Sequence, residues 1–408
     1  MIENLSWWAF LALVPVAYWL LPARFRAGAL ALASLTFLFS VSPMTVAFML
    51  GLALLVFYGL ELSPMPAAAG NGPGLSILPE KFGNARLSTW LFFAVLAYLI
   101  WYKYTPQVMP SLFGKSSIAQ IAIPLGLSYY SFKLMHYALE RGRGTLPPHN
   151  IQEFLTWMFL MPTFSSGPIE RFDHFESMRE TEFRMEFVIE GLTRIVQGLV
   201  KRFVLVDQLG SVLQYLSGSD LVGFAHGLDG QPGIWVVWAY LFLGLVNLYL
   251  DFSAYSDIAI GASRLFGFKI IENFRYPLLA SSLGDFWSRW HISLTSWCRA
   301  YVYMPVIGMT RSPYAATIAT FALVGLWHAG STLWLAWGLW HGIGLSLVLR
   351  WSRFAQKKKI KFFKTQWGKI AGWALTMLYA SLGGAFDTYY NVGGIADAFH
   401  LMGRAFGF

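Results

Sequence analysis

Apolar residues dominate this chain in long runs, and polar residues collect in the short segments between those runs. The runs lie at Trp7–Leu21, Ala27–Val41, Met44–Leu60, Leu87–Tyr102, Ile118–Leu139, Ile151–Phe164, Ile234–Leu250, Tyr301–Ile307, Ala315–Trp327, Leu333–Val348 and Ile370–Gly383. A helix needs roughly 20 mostly apolar residues to cross the hydrocarbon of a bilayer. Several later runs are shorter than this, so we expect them to be tilted or re-entrant helices surrounded by protein.

This alternation predicts an all-α, polytopic membrane protein with about 10 to 12 membrane segments. The composition fits that class, because 56% of the 408 residues are hydrophobic and only 12% are charged. The first run follows Glu3 and has neither a basic leader nor a small-residue cleavage signature, so we expect an uncleaved first span. We expect residues 1–408 to form one integral membrane domain, with N-terminal helices in 1–103 and a C-terminal helix and tail in 367–408.

The net charge of +9 comes from short basic patches between the apolar runs, a pattern that does not indicate a nucleic-acid partner. The strongest patch is the predicted loop Arg350–Lys369, and the positive-inside rule places it in the cytoplasm. If the N-terminus faces outward, the cytoplasmic side also holds four further arginines, Arg24, Arg26, Arg141 and Arg143. Contact of these basic residues with lipid headgroups is the simpler alternative.

Two polar connections differ from the rest. Leu62–Asn84 is rich in Gly and Pro and indicates a flexible connector. Glu170–Lys201 mixes charges with apolar residues and predicts a helix that lies in the membrane interface. The chain shows no internal repeat, so an inverted-repeat transporter has no support from the sequence.

Common catalytic and metal-binding motifs are absent from the sequence. It contains no Gly-x-Ser-x-Gly elbow, no phosphate-binding Gly-x4-Gly-Lys loop and no His-Glu-x-x-His pair. Its single cysteine, Cys298, excludes an intrachain disulfide. On one continuous helix, His328 and His341 would lie roughly 20 Å apart along the axis and could not share a metal. We therefore expect no metal site.

Two histidines in apolar sequence are the best candidates for chemistry. His291 lies in Arg-Trp-His-Ile-Ser-Leu-Thr and His328 in Gly-Leu-Trp-His-Ala-Gly. An ionisable side chain at membrane depth costs free energy, so its presence there indicates a function. A neutral imidazole can accept a proton near neutral pH, which suits activation of a hydroxyl. A structural hydrogen bond is the alternative, and for His341 it is the preferred interpretation. Asp285 and Arg289 stand four apart and would form an ion pair on a helix.

The central part of the chain resembles the membrane-bound O-acyltransferase family. The resemblance is to its bacterial branch, which includes alginate and peptidoglycan O-acetyltransferases and the D-alanyl transferases of teichoic acid. It covers roughly residues 124–342, whereas the first 120 residues match only in hydrophobic pattern. The matching stretches are Pro124–Phe132, Pro162–Phe172, Asp251–Pro305, Gly325–His328 and Trp337–Gly342.

The resemblance implies a ring of tilted helices around a central tunnel, in which a cytoplasmic thioester donor meets a hydroxyl acceptor from the other side. His328 takes the place of the family's invariant histidine and would act as general base. His291 would orient the thioester carbonyl or stabilise the oxyanion. The candidate tunnel residues are Trp290, Trp327, Ser293, Arg289 and Asp285. No tightly bound cofactor is implied, because the donor would be acetyl-CoA or an acylated carrier protein with a phosphopantetheine thioester.

The subtype stays open at this point. Arg299-Ala300-Tyr301 lacks an aspartate that many relatives carry, Ser-Ser-Gly-Pro-Ile-Glu-Arg resembles the D-alanyl branch, and Asp-Phe-Ser-Ala-Tyr-Ser-Asp resembles the alginate branch. We expect transfer of a small acyl group, preferentially acetyl, onto an envelope polysaccharide at the bacterial cytoplasmic membrane. D-alanyl transfer, a polysaccharide or lipid transporter with proton-relay histidines, and a non-catalytic scaffold are the alternatives. Expected partners besides lipid are a carrier protein and a periplasmic acyltransferase.

Overall fold

The computed structural model describes residues 4–62, 81–113, 123–227 and 233–408. Within these ranges the regular structure is helical, apart from an isolated bridge between Arg179 and Phe268. The described chain is therefore all-α, as predicted. It divides into two compact units, Met1–Val196 with Ser256–Ile271, and Gln197–Tyr255 with Glu272–Phe408.

The first unit is built from apolar helices that precede a more polar, interrupted segment. Its helices are α1 (Leu5–Leu20), α2 (Ala23–Val41), α3 (Pro43–Glu61), α4 (Lys81–Phe113), α5 (Leu127–Arg143), α6 (Ile151–Phe159), α7 (Met161–Phe164), α8 (Phe172–Ser177) and α9 (Met185–Val200). Proline begins α3, where its missing N–H costs no helical hydrogen bond. Asn150 caps α6 through a capping box with Glu153.

A buried carboxylate organises the polar part of the first unit. Glu170 is only 2% exposed. Its two oxygens accept hydrogen bonds from the backbone N–H of Ile271 at 2.7 Å and of Arg171 at 3.2 Å. His174 lies 2.7 Å from the same carboxylate, and this hydrogen bond raises the pKa of His174. The motif Pro162–Phe172 thus ends in a satisfied polar network inside the first unit.

The second unit contains the histidine motifs. Its helices are α10 (Asp207–Ser217), α11 (Leu221–His226), α12 (Ile234–Arg264, whose last residues belong to the first unit), α13 (Leu283–Arg289), α14 (Ile292–Cys298), α15 (Met304–Thr310), α16 (Pro313–His328), α17 (Thr332–Lys357), α18 (Gln366–Thr388) and α19 (Ile395–Arg404). Two π-helical turns, Lys201–Val206 and Arg299–Tyr303, and two short 3₁₀ helices, Pro277–Leu279 and Phe362–Lys364, complete it.

Helices α16 and α17 form a tight antiparallel hairpin. Gly325 and Gly338 lie at their contact, and a Cβ at either position would collide with a backbone carbonyl of the other helix. The turn after His328 is closed by Ser331, whose hydroxyl accepts the N–H of Trp334 at 3.2 Å. The hairpin therefore holds His328 at the end of α16, next to the first turn of α17.

Five helices among the described residues are long and apolar enough to cross a membrane. They are Ala23–Val41, Pro43–Glu61, Arg86–Pro106, Ile234–Arg264 and Thr332–Lys357. Only 22% to 33% of the most apolar window of each helix is buried by protein, which leaves most apolar side chains to face hydrocarbon. The chain is a multi-pass membrane protein. Of the shorter predicted runs, Tyr301–Ile307 and Ala315–Trp327 form short or interrupted helices, whereas Leu333–Val348 and Ile370–Gly383 lie within the longer helices α17 and α18.

Three predictions about connections need revision. The predicted interface helix Glu170–Lys201 is wrong as one element, because residues 178–180 pair with the backbone of 267–269 and separate α8 from α9. The predicted loop Arg350–Lys369 is helical up to Lys357, since Arg and Lys are good helix formers. The predicted connector Leu62–Asn84 ends early, because α4 begins at Lys81, and its residues 63–80 lie outside the described residues.

Glu170 gives a direct test of the first unit. Alanine at this position leaves two partly buried N–H donors without an acceptor, which costs about 1–3 kcal/mol. We expect Glu170→Ala to melt at a clearly lower temperature in detergent. The control Glu182→Ala changes an exposed residue, so its effect stays within about 0.5 kcal/mol. Equal melting temperatures for the two variants contradict the role given to Glu170.

Candidate active site

The first histidine motif is interrupted at His291. Helix α13 begins at its cap Ser282, whose hydroxyl accepts the N–H of Asp285, and ends before the extended residue Trp290. His291 then adopts φ 44° and ψ 53°, a left-handed conformation that is costly for a residue with a Cβ. Helix α14 starts at the next residue, Ile292. The chain thus places the His291 side chain at a corner between two short helices.

Asn273 holds this corner in place. Its side chain is fully buried, and its backbone carbonyl accepts the N–H of Ile292 at 2.8 Å. Two residues later, the N–H of Arg275 donates to the carbonyl of Arg289 at 3.0 Å. These two hydrogen bonds connect residues 273–275 to the end of α13 and to the start of α14. They compensate for the unusual backbone conformation of His291.

The side chain of Asn273 also determines which nitrogen of His291 carries the proton. Its Oδ1 lies 3.0 Å from His291 Nδ1 and also accepts the hydroxyl of Ser293 at 2.9 Å. An amide oxygen can only accept, so Nδ1 of a neutral His291 must be the protonated nitrogen. His291 Nε2 then carries a lone pair. This atom is buried and has no hydrogen-bond partner among the described residues.

His328 lies in an aromatic setting at the end of α16. Its ring stacks on Trp334 with centroids 4.3 Å apart and planes 16° apart, and meets the edge of Trp337 at 5.3 Å. The Trp327 ring lies 4.7 Å from His328 and 6.4 Å from His291. The two imidazoles are close enough to interact electrostatically. The break at His291 and the helical hairpin therefore bring both histidine motifs together.

Both imidazoles line one cavity of about 360 Å³ within the second unit. Aromatic side chains form much of its wall, and the polar groups are few, as in many small-molecule sites. The lining residues are Leu213, Tyr240, Leu241, Gly244, Leu245, Asn247, Leu248, Asp251, Phe252, Phe286, Trp287, Trp290, His291, Leu294, Val324, His328, Trp334, Trp337, His341, Ala380, Gly384, Asp387 and Thr388.

The structure separates the predicted tunnel residues into two groups. Trp290 lines the cavity together with the two histidines, whereas Trp327, Ser293, Arg289 and Asp285 do not. Asp285 and Arg289 form the predicted ion pair at 2.7 Å, on the surface of α13. Ser293 faces Asn273, and Trp327 contacts both imidazoles from outside the cavity lining.

Several polar residues of the cavity were not among the predicted site residues. His341 lines the cavity, and its Nδ1 accepts the indole N–H of Trp287 at 3.4 Å, a structural hydrogen bond of the kind preferred for it from the sequence. The assumption of one helix from His328 to His341 fails, because the turn at 329–331 reverses the chain. Asn247 and Asp251 were detectable as polar residues four apart in an apolar helix, a spacing that places them on one face. Asp387 carries no comparable signal.

Aromatic rings separate the three histidines of the cavity. Trp327 contacts His291 and His328, and Trp337 contacts His328 and His341 at 5.3 and 4.8 Å. Across the described ranges, no group of three or more His, Cys, Asp and Glu side chains is arranged to hold a metal ion. The arrangement suits proton transfer between a bound hydroxyl and an imidazole.

Comparison with known proteins identifies relatives of the second unit and of part of the first. The family described as MBOAT, membrane-bound O-acyltransferase family, matches residues 85–386. The probable alginate O-acetylase AlgI of Pseudomonas aeruginosa is 31% identical over 290 residues, which are 67% of this chain and 54% of the relative. This chain thus spans about half the length of that relative.

A second group of relatives carries a different name. The teichoic acid D-alanyltransferase of Streptococcus thermophilus is 29% identical over 294 residues, which are 69% of this chain and 68% of the relative. The teichoic acid D-alanyltransferase of Bacillus subtilis is 26% identical over 276 residues, covering 64% and 67%. The family match extends on both sides of residues 124–342, where the sequence motifs lie.

Asn273 provides a test of the His291 tautomer. In protein with ¹⁵N-labelled histidine at neutral pH, we expect His291 to show a protonated Nδ1 and an unprotonated Nε2. Asn273→Ala removes the acceptor and yields a mixture of tautomers, and the lost buried acceptor costs about 1–3 kcal/mol. Ser293→Ala is the control, since it leaves the bond from Asn273 to His291 in place. A protonated Nε2 in the wild-type protein contradicts this assignment.

Proposed function

The chain belongs to the membrane-bound O-acyltransferase family, and from that premise we propose that it moves a small acyl group from a thioester onto a hydroxyl of an envelope polysaccharide. The observation that supports this proposal is that His291 and His328 line the same cavity. Acetyl is the preferred group, because the relatives named alginate O-acetylase show higher identity than those named D-alanyltransferase.

His328 acts as the general base in this proposal. The acceptor oxygen attacks the thioester carbonyl carbon while the imidazole takes the hydroxyl proton. The carbon–sulfur bond then breaks, and the thiolate leaves with the proton returned by the imidazolium. Stacking on Trp334 at 4.3 Å restricts the orientation of the His328 ring and keeps it directed towards one position of the acceptor.

His291 acts as a hydrogen-bond acceptor rather than as an oxyanion donor. Its Nδ1 hydrogen is engaged by Asn273, so the neutral ring has no second hydrogen to offer an oxyanion at Nε2. The lone pair of Nε2 can instead accept a hydrogen bond from a neighbouring hydroxyl of the acceptor, while the reacting hydroxyl gives its proton to His328. We therefore assign His291 to positioning of the acceptor, which revises the oxyanion role expected from the family resemblance.

The aromatic wall protects the thioester from water. Phe252 lies 4.6 Å from the His291 ring, and Trp290 stacks on Phe286 at 5.3 Å, so apolar rings surround the proposed reaction centre. Exclusion of water suppresses hydrolysis of the donor and strengthens the hydrogen bonds of the site. No resident cofactor takes part, since acetyl-CoA or an acylated carrier protein enters as a substrate.

Orientation in the membrane follows from the basic segment Arg350–Lys369. We place it on the cytoplasmic side of the bacterial inner membrane, where anionic headgroups or an acidic carrier protein would meet it. The opposite ends of α17 and α18, near Thr332 and Thr388, then face the acceptor side. A periplasmic acyltransferase is the partner that would carry the product onward.

Replacement of either histidine tests the proposal. We expect His328→Ala to lower the rate of acyl transfer by roughly 10²–10⁴-fold, because the hydroxyl loses its base. His291→Ala should raise KM for the acceptor more than it lowers kcat. His400→Ala, on α19 and outside the cavity lining, is the matched control with unchanged activity. Transfer assays with purified protein and radiolabelled donor measure all three.

The choice of donor distinguishes the alternatives. Transfer from acetyl-CoA supports the preferred reaction, and transfer from a D-alanyl carrier protein alone would assign the D-alanyl reaction suggested by the second group of relatives. If His328→Ala left acylation of the envelope polymer intact and stopped its export, the acyltransferase proposal would be wrong and a transporter correct.

A further inference from the structure

The cavity has a second polar end, away from the His291 corner and beside the Trp334 ring that stacks on His328. Its lining along α12 runs from Tyr240 to Phe252, two residues that are twelve positions apart and therefore separated by roughly 18 Å along the helix axis. Phe252 contacts His291 at one end. At the other end, the Tyr240 hydroxyl is hydrogen-bonded to Thr388, the neighbour of Asp387. The site therefore extends well beyond the His291 imidazole.

Asp387 places an uncompensated carboxylate at this second end. The other acidic side chain of the cavity, Asp251, pairs with Arg202 at 3.4 Å. No lysine or arginine pairs with Asp387 in the part of the chain that the structure describes, and none of the described lysines and arginines lines the cavity. Asp387 also lies one residue beyond the family match, so family membership assigns it no role.

The second end faces the acceptor side in the proposed orientation. Helices α17 and α18 are antiparallel neighbours joined by the basic segment. At their other ends, the Trp334 and Tyr390 rings lie 6.0 Å apart, and both Trp334 and Asp387 line the cavity. The cytoplasmic placement of the basic segment thus puts Asp387 where the acceptor enters.

We propose that Asp387 selects the acceptor, so that this end of the cavity takes a hydroxyl-bearing sugar without negative charge. This inference rests on the proposed function and specifies its substrate class. The Asp387 carboxylate accepts a hydrogen bond from a second hydroxyl of the sugar, while Tyr240 and Trp334 supply apolar surface for the ring. A carboxylate or phosphate on the acceptor would meet a like charge, with no cation in the lining to neutralise it.

A matched pair of acceptors tests the selection. β-Linked mannose and mannuronate oligosaccharides of equal length differ in the carboxylate at the sixth carbon. With purified protein in lipid nanodiscs and radiolabelled acetyl-CoA, we expect kcat/KM to be at least about tenfold higher for the mannose acceptor. Asp387→Asn should raise KM for the mannose acceptor, leave KM for acetyl-CoA unchanged and bring the two acceptors within about twofold of each other.

Two further variants complete the design. Asp387→Glu keeps the charge and should keep the preference, and Glu182→Gln removes an exposed carboxylate outside the cavity lining and should change nothing. If Asp387→Asn unfolds at a clearly lower temperature than the wild-type protein, the acceptor preference of the wild-type protein alone tests the proposal. Equal use of both acceptors by the wild-type protein, or an unchanged ratio in a folded Asp387→Asn, overturns the selection while the acyltransferase function stands. Transfer to neither acceptor by the wild-type protein contradicts the function itself.

Discussion

The hydrogen bonds between Asn273 and the His291 corner are the constraint on which the site depends. Asn273 is buried, and its backbone carbonyl and side-chain oxygen together take part in four hydrogen bonds. These bonds hold His291 in a left-handed conformation between two short helices and set its tautomer. Without these bonds the corner would relax towards a regular helix, and the His291 ring would leave the cavity. The geometry of the site thus depends on a backbone conformation that Asn273 holds in place.

A second constraint, the close contact of α16 and α17, brings the other imidazole to the same place. Glycines at the contact let the two backbones approach, and the short turn directs His328 onto Trp334. The aromatic wall orients the histidine rings, and in the proposed reaction it would also keep water from the thioester. Asp251 and Asp387 are the acidic side chains that line this largely aromatic cavity. Each therefore has a large influence on which molecules can bind.

The amino-acid sequence predicted the class of fold and the ion pair on α13, because these follow from hydrophobic runs and from spacing along one helix. It also singled out His291 and His328, which the fold brings to one cavity. It did not predict the interruption of the polar segment after Phe172, since backbone pairing between residues 178–180 and 267–269 is a long-range effect. Asn273 and Asp387 were missed for the same reason. Their positions depend on how distant segments meet, and no local periodicity marks either residue.

The central claim is that His291 and His328 act on one reaction centre inside the cavity. The most direct measurement is an experimental structure with a non-hydrolysable thioether analogue of acetyl-CoA. The account predicts that the acyl carbonyl carbon lies between the two imidazoles, within about 4 Å of His328, and that Asn273 still holds His291 Nδ1. An analogue bound outside this cavity, or a His291 ring turned away from it, would contradict the account.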